Sequence, residues 1–360
     1  MNVLFIARAT LYSGYGGDTV QVLSTAKYLR KLGVIVDIRL CNETIDYKPY
    51  NLIHFFNITR PADALYHVRK SGKPYVVSTI FVDYSEYHQY QNKGIYSLLW
   101  KIFPGDKMEY LKTIARWLKN GESVISREYI FKGHRNAVRQ LAKGASLLLP
   151  NSESEYQRFV KAYNIERPCR VIYNGVDPEI FSQENINLPE KRDSNTVLCV
   201  ARIEGKKNQL NLIKALNNTE FNVILIGKPA PNHLAYYNEC REVAAPNIRF
   251  LGFLPLDQLI KHYRQAKVHI LPSWNETTGL SSLEAAWYGC NIVITDKGDT
   301  EEYFGGDAFY CDPADPESIH SAVQKAAFVA HNDNLKNKII SKYNWQAAAN
   351  STLEAYKKVV

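Results

Sequence analysis

Ser273-Trp274-Asn275-Glu276-Thr277-Thr278-Gly279-Leu280-Ser281-Ser282-Leu283-Glu284-Ala285-Ala286-Trp287-Tyr288-Gly289 decides the fold of this chain. A short apolar run, Val268-His269-Ile270-Leu271, precedes it and stops at Pro272. A second, Asn291-Ile292-Val293-Ile294-Thr295, follows. Gly279 permits a tight turn, and the spacing predicts a helix over 281–288 stopped at Gly289. Strand, loop, helix, strand is a parallel α/β unit whose helix N-terminus faces the loop carrying Glu276. Such a terminus presents free N–H groups and partial positive charge, a seat for phosphate. Glu276 and Glu284 flank that seat, where carboxylates suit sugar hydroxyls. A structural reading competes: Ser281 and Glu284 also match a capping box.

The rest of the 360-residue chain has room for a second such domain. A 46% hydrophobic content supplies two cores and excludes a disordered chain. Net charge is +8, which calls for an anionic partner. No recognised nucleic-acid motif accompanies it, so nucleic acid is not expected. The six cysteines have no CxxC spacing and lie mostly in or beside apolar runs, as buried thiols do. No metal-ligand cluster is legible, and no cofactor is expected. No segment reaches the roughly 18–20 apolar residues of a membrane-spanning helix, and the run Val3-Leu4-Phe5-Ile6-Ala7 reads as a first strand rather than a leader.

From that strand the chain runs through Ser13-Gly14-Tyr15-Gly16-Gly17, a helix over 19–32 and a strand over 34–40. The glycines lack GxGxxG spacing, and the second strand ends without a ribose-binding acid, which argues against a nicotinamide site. Strands are expected at 52–56, 75–80, 146–150 and 170–173, with a helix at 63–70. A basic, aromatic stretch of about 84–143 interrupts the alternation. A linker over 178–196 precedes a second series: strands at 197–201, 222–226, 248–251, 268–271 and 292–294, and helices at 209–216, 234–243 and 256–266. The reading is an α/β chain of two doubly wound Rossmann-like domains facing a central cleft. The first takes 1–177 with the insertion at about 84–143, the second 178–344, and a last helix over 345–360 returns to the first.

Several short motifs now stand in one order: Gly16-Gly17, Asn174-Gly175-Val176-Asp177, Arg202 with Lys207 five residues on, Glu276-x7-Glu284, and Trp345 opening the last helix. Together they resemble glycosyltransferase family 4, retaining transferases of the GT-B fold that use nucleotide-diphosphate sugars. The likeness spans nearly the whole chain except about 84–143. It implies a metal-independent hexosyltransferase of polysaccharide or glycoconjugate biosynthesis. Its donor would be a UDP- or GDP-sugar, and its acceptor a saccharide or lipid-linked saccharide. It assigns Arg202, Lys207 and Glu276 to catalysis, the two cations neutralising the departing diphosphate. Glu284 would take the ribose hydroxyls and Glu276 those of the donor sugar. Backbone at Gly279, Leu280 and Ser281, and at Gly16 and Gly17, would meet the phosphates or sugar. Backbone beside Phe253 would meet the base.

This chain departs from the family at two places. Phe81 stands where many members carry a histidine, so the acceptor-side polar group is either displaced to Asp83, Tyr84, Glu86 or His88 or absent. Thr277-Thr278 replaces a glycine or proline with an aromatic residue, which leaves the donor sugar open. The lost histidine keeps a second reading in view, a nucleotide-sugar-binding subunit weakened in catalysis and working with a partner transferase. His54, at the end of an earlier strand, reads as packed rather than catalytic. Within about 93–143, basic residues surround aromatic and aliphatic ones, and Leu111, Ile114, Ala115 and Leu118 share one helical face. That pattern suits an anionic membrane surface, placing a cytoplasmic enzyme at the inner face of the plasma membrane, or equally a face packed on the first domain.

Overall fold

The computed structural model describes residues 1–91, 105–120, 127–181, 192–230 and 232–360. Lys93, Lys101 and the apolar residues between Ile95 and Phe103 lie outside the described residues, as do 182–191 of the expected linker. The chain divides into two compact units. The described residues of the first fall within Met1–Phe81, Asn92–Asn174 and Tyr343–Val360. Those of the second fall within Val82–Gln91 and Gly175–Lys342. The stretch of about 84–143 is thus shared: its first residues pack with the second unit and its later helices with the first.

In the first unit β1 (Asn2–Ala7), β2 (Ile35–Leu40), β3 (Leu52–Phe56), β4 (Tyr75–Ser78) and β5 (Leu147–Leu149) form a parallel sheet of order β2-β1-β3-β4-β5. β1, β3, β4 and β5 are near-continuous apolar runs because helices cover both faces of the sheet. The expected strand at 170–173 is not one. Cys169 makes a lone bridge to Leu148, and only the amides of Arg170 and Ile172 continue the pairing. His54 is buried, hydrogen-bonded through Nδ1 to the Tyr356 hydroxyl (2.7 Å) and through Nε2 to Ser78 Oγ (2.9 Å). Burial pushes its pKa down to about 3, so it is a neutral internal tie between the sheet and the helix Trp345–Tyr356.

The second sheet holds β6 (Asp193–Val200), β7 (Asn222–Ile226), β8 (Ile248–Gly252), β9 (Ala266–Leu271), β10 (Asn291–Thr295) and β11 (Ala308–Cys311). All are parallel, in the order β11-β10-β9-β6-β7-β8. Counted from β6 this is 3-2-1-4-5-6, the doubly wound order whose direction reverses between β6 and β9. β6 begins four residues before the expected strand, taking Asp193 to Thr196 out of the supposed linker. Among the described residues all six cysteines are free, and five are buried.

Candidate functional site

In an open doubly wound sheet the crevice opens at the carboxyl ends of the two strands where the order reverses. Here those strands are β6 and β9. β6 leads into Arg202 and Lys207, and β9 into Ser273–Glu276. The Lys207 ammonium lies 2.6 Å from Glu276 Oε2, and both side chains are largely buried. The Arg202 guanidinium meets Glu204 at 3.0 Å and is 44% exposed, so it remains available to an incoming anion.

Neighbouring loops are stitched along this edge, one to the next. The Gly227 amide donates to Gly252 O (2.8 Å), and Ile203 N to Lys228 O (2.9 Å). Trp274 N donates to Lys206 O (3.0 Å), and Glu276 N to Lys297 O (3.2 Å). Asn208 Nδ2 donates to the carbonyls of both Pro272 and Pro313. Two glycines make the close approaches possible. A Cβ on Gly298 (φ +98) would lie 2.0 Å from the Glu276 carbonyl oxygen, and one on Gly227 (φ +148) would lie 1.9 Å from that of Ala201. No side chain fits either place.

The helix after Glu276 runs Leu280–Trp287, one residue earlier than its expected start, with Gly279 as N-cap at φ +65. No side chain caps it, so the Ser281–Glu284 capping box does not form. The Gly279 carbonyl accepts from Ser282 N and Leu283 N. The amides of Gly279, Leu280 and Ser281 donate to no acceptor among the described residues. Three free N–H groups at a helix N-terminus, on the chain just after Glu276, carry partial positive charge suited to an anion. Glu284, on the next turn, receives a hydrogen bond from the buried Tyr263 hydroxyl (3.0 Å). Burial pushes its pKa up to about 7, and the Tyr263 bond only partly opposes this.

Phe253 follows β8 and is exposed, with the Lys228 ammonium over its ring at 5.2 Å. Gly16 and Gly17 open the helix Gly17–Lys31 of the first unit. Their loop is wrapped on Arg8, which donates to Asp18 Oδ2 (2.6 Å) and to the carbonyls of Thr10 (2.5 Å) and Gly14 (2.6 Å). A Cβ on Gly17 would meet nothing within 4 Å.

Phe81 is buried edge-on against Phe159 and Tyr163, so it offers no polar group. Asp83, Tyr84 and His88 lie in the part of the chain that packs with the second unit. Sequence reasoning misses Gly227, Gly298, Asn208 and Tyr263. It also misses Glu155. Glu155 is fully buried and accepts from Thr79 Oγ1, from Phe81 N (2.9 Å) and from Asn151 N (2.9 Å). It thereby grips the chain on both sides of Ile80, a β-branched residue at φ 44. Among the described residues no group of three His, Cys, Asp or Glu is gathered as metal ligands.

Residues 181–343 match the family described as Glycosyl transferases group 1. An uncharacterised glycosyltransferase of Methanocaldococcus jannaschii is 27% identical over 214 residues, covering 53% of this chain and 54% of that protein. The D-inositol 3-phosphate glycosyltransferase of Corynebacterium kroppenstedtii is 24% identical over 257 residues, covering 64% and 57%. The chain spans about half the length of the curated relatives it matches. Among solved structures, sucrose-phosphate synthase from Thermosynechococcus elongatus is similar with a TM-score of 0.73 at 14% identity, covering 99% of this chain and 98% of that one. Anabaena HepE, solved in complex with UDP-glucose, is similar with a TM-score of 0.67 at 17% identity, covering 99% and 100%. The chain therefore has the GT-B fold, and its residues 181–343 are similar to the glycosyl transferases group 1 family.

Proposed function

We propose that this chain is a retaining, metal-independent hexosyltransferase of family 4 that moves a sugar from a UDP-sugar to a saccharide or lipid-linked saccharide. The observation that carries the reading is the Lys207–Glu276 pair at the strand switch, with the half-exposed Arg202 on the Lys207 loop and three free helix-terminal amides at the end of the Glu276 loop. Breaking the bond from the sugar's anomeric carbon to phosphate leaves growing negative charge on the diphosphate. Lys207, Arg202 and the Gly279–Ser281 amides neutralise it where it develops. Glu276, held by Lys207, takes sugar hydroxyls; Glu284 takes those of the ribose. Phe253 marks the base subsite, and Gly16 and Gly17 meet the diphosphate. UDP is preferred over GDP because HepE, similar over its whole length, was solved with UDP-glucose.

The acceptor oxygen bonds to the anomeric carbon on the face the diphosphate leaves, and its proton passes to a departing phosphate oxygen. Phe81 supplies no base, and this route needs none. Proton NMR of the first-formed product tests the assignment. Retention of the donor's anomeric configuration is expected, unchanged by a chelator, and inversion overturns it.

A membrane-facing acceptor has its own support. Leu111 and Leu118 of the helix Gly105–Asn120 are 48% and 71% exposed, and Phe131 on the next helix is 87% exposed. The shared apolar face is therefore not packed as a core face. Lys112 and Arg116 adjoin it, both paired with Glu109. Apolar side chains edged by cations suit the anionic cytoplasmic leaflet, where a lipid-linked acceptor would lie.

A further inference from the structure

One short segment touches nearly every loop that carries a charge of the donor cluster. Val82–Gln91 packs within the second unit and ends in the helix Ser85–Gln91. Tyr90 packs against Trp274 with ring centres 4.4 Å apart and planes tilted by 41°, and Tyr87 lies 6.3 Å from the same indole. Lys206 Nζ sits 3.6 Å from the centre of the Tyr84 ring. Glu86 meets Lys297 at 3.5 Å, and the Lys297 carbonyl accepts the Glu276 amide.

Trp274 is 2% exposed, two residues before Glu276, and its backbone amide ties it to Lys206, the neighbour of Lys207. Its indole N–H has no hydrogen-bond partner among the described residues. Ring packing rather than a polar bond therefore holds the indole, while backbone hydrogen bonds hold the loop that carries it. Aromatic contacts and a cation over a ring each stabilise beyond area burial, and in sum they set a loop position.

We propose that Tyr84 and Tyr90 are positioning residues for transfer. Through Lys206 and Trp274 they hold the Lys207 and Glu276 loops at the separation the 2.6 Å pair requires. This rests on the glycosyl-transfer reading for its kinetics but not for its geometry. It also places the positioning rings on the same segment as Asp83 and His88, so the acceptor-side candidates and the donor loops share one support. Misplacing a catalytic group by about 1 Å costs up to about a hundredfold in rate.

The test uses the full chain with Tyr90→Leu, Tyr90→Phe and Glu276→Gln, alone and combined. Tyr90 is half-exposed, so its loss leaves the unit folded. With UDP-glucose as donor, Tyr90→Leu should lower kcat about tenfold with donor KM changed less than threefold, and Tyr90→Phe should restore it. Independently of activity, Glu276→Gln should lower the urea midpoint more in the wild-type background than beside Tyr90→Leu, because there the pair is already loosened. Equal midpoint shifts in the two backgrounds overturn the proposal. Absence of transfer from any nucleotide sugar overturns only the reaction, since the midpoint comparison still decides the positioning.

Discussion

Glu284 gives the sharpest handle on the donor site. Its carboxyl is buried beside Tyr263, and its pKa is pushed up from 4.5 to about 7. Only the ionised form accepts two ribose hydroxyls, so binding must first release the proton. With a pKa near 7, roughly one molecule in eleven is ionised at pH 6 and roughly ten in eleven at pH 8. Affinity for UDP-glucose should rise about tenfold between those values and then level off. UDP-glucose is the probe because neither of its phosphates titrates in this range. Glu284→Gln should flatten the profile and bind more weakly than wild type at pH 8. Stability carries a second sign. A carboxyl with a raised folded-state pKa favours the fold while protonated, so its contribution falls as pH climbs from about 4.5 to about 7. Glu284→Gln should therefore raise the melting temperature relative to wild type at pH 8 and leave it unchanged near pH 4.5. Calorimetric titration at four pH values decides the matter: a tenfold slope persisting in Glu284→Gln would refute the assignment.

Arg202→Ala and Lys207→Ala should each lower turnover by roughly two orders of magnitude, the size of one lost preorganised contact; Arg202→Ala should leave the melting temperature unchanged, and wild-type turnover in either variant removes its diphosphate role. Gly17→Ala should keep the fold, since its Cβ enters open space, while raising donor KM in steady-state assays. Gly298→Ala should fail on both counts, because its Cβ meets the Glu276 carbonyl at 2.0 Å. Cosedimentation with vesicles should need anionic lipid, weaken with salt and fall in Leu118→Ser with Phe131→Ser; equal recovery with neutral vesicles refutes the membrane surface.

The strands were legible because parallel strands buried on both faces are unbroken apolar runs bounded by turn residues, as in Val3–Ala7 or Asn222–Ile226. The helices Gln209–Leu216 and Leu234–Val243 fall where the spacing puts them. The helix Pro316–Phe328 had a signal that went unused, Asp315 as N-cap with Pro316 behind it. The strand Ala308–Cys311 is too short for periodicity to speak. Lys207 and Glu276 stand 69 residues apart. Their meeting depends on β6 lying beside β9, which no local pattern encodes. The capping reading of Glu284 turned on a single residue, since Gly279 starts the helix early enough to put that carboxyl beside Tyr263. Tight backbone crossings at Gly227 and Gly298 are equally silent, because a glycine in a loop looks the same whatever passes over it.

Neither unit is contiguous in the chain, and this bears on how the protein is made. Tyr343–Val360 closes the first unit, with Tyr356 buried on His54, yet the ribosome delivers it after the whole of the second. Val82–Gln91 is delivered early and must wait for Lys206 and Trp274 before Tyr84 and Tyr90 have partners to pack on. Each unit therefore emerges with an uncovered seam, and neither can mature in simple order of synthesis. A nascent chain stalled before Tyr343 would leave a sheet whose His54 has lost its cover, a natural substrate for chaperones until the last helix arrives.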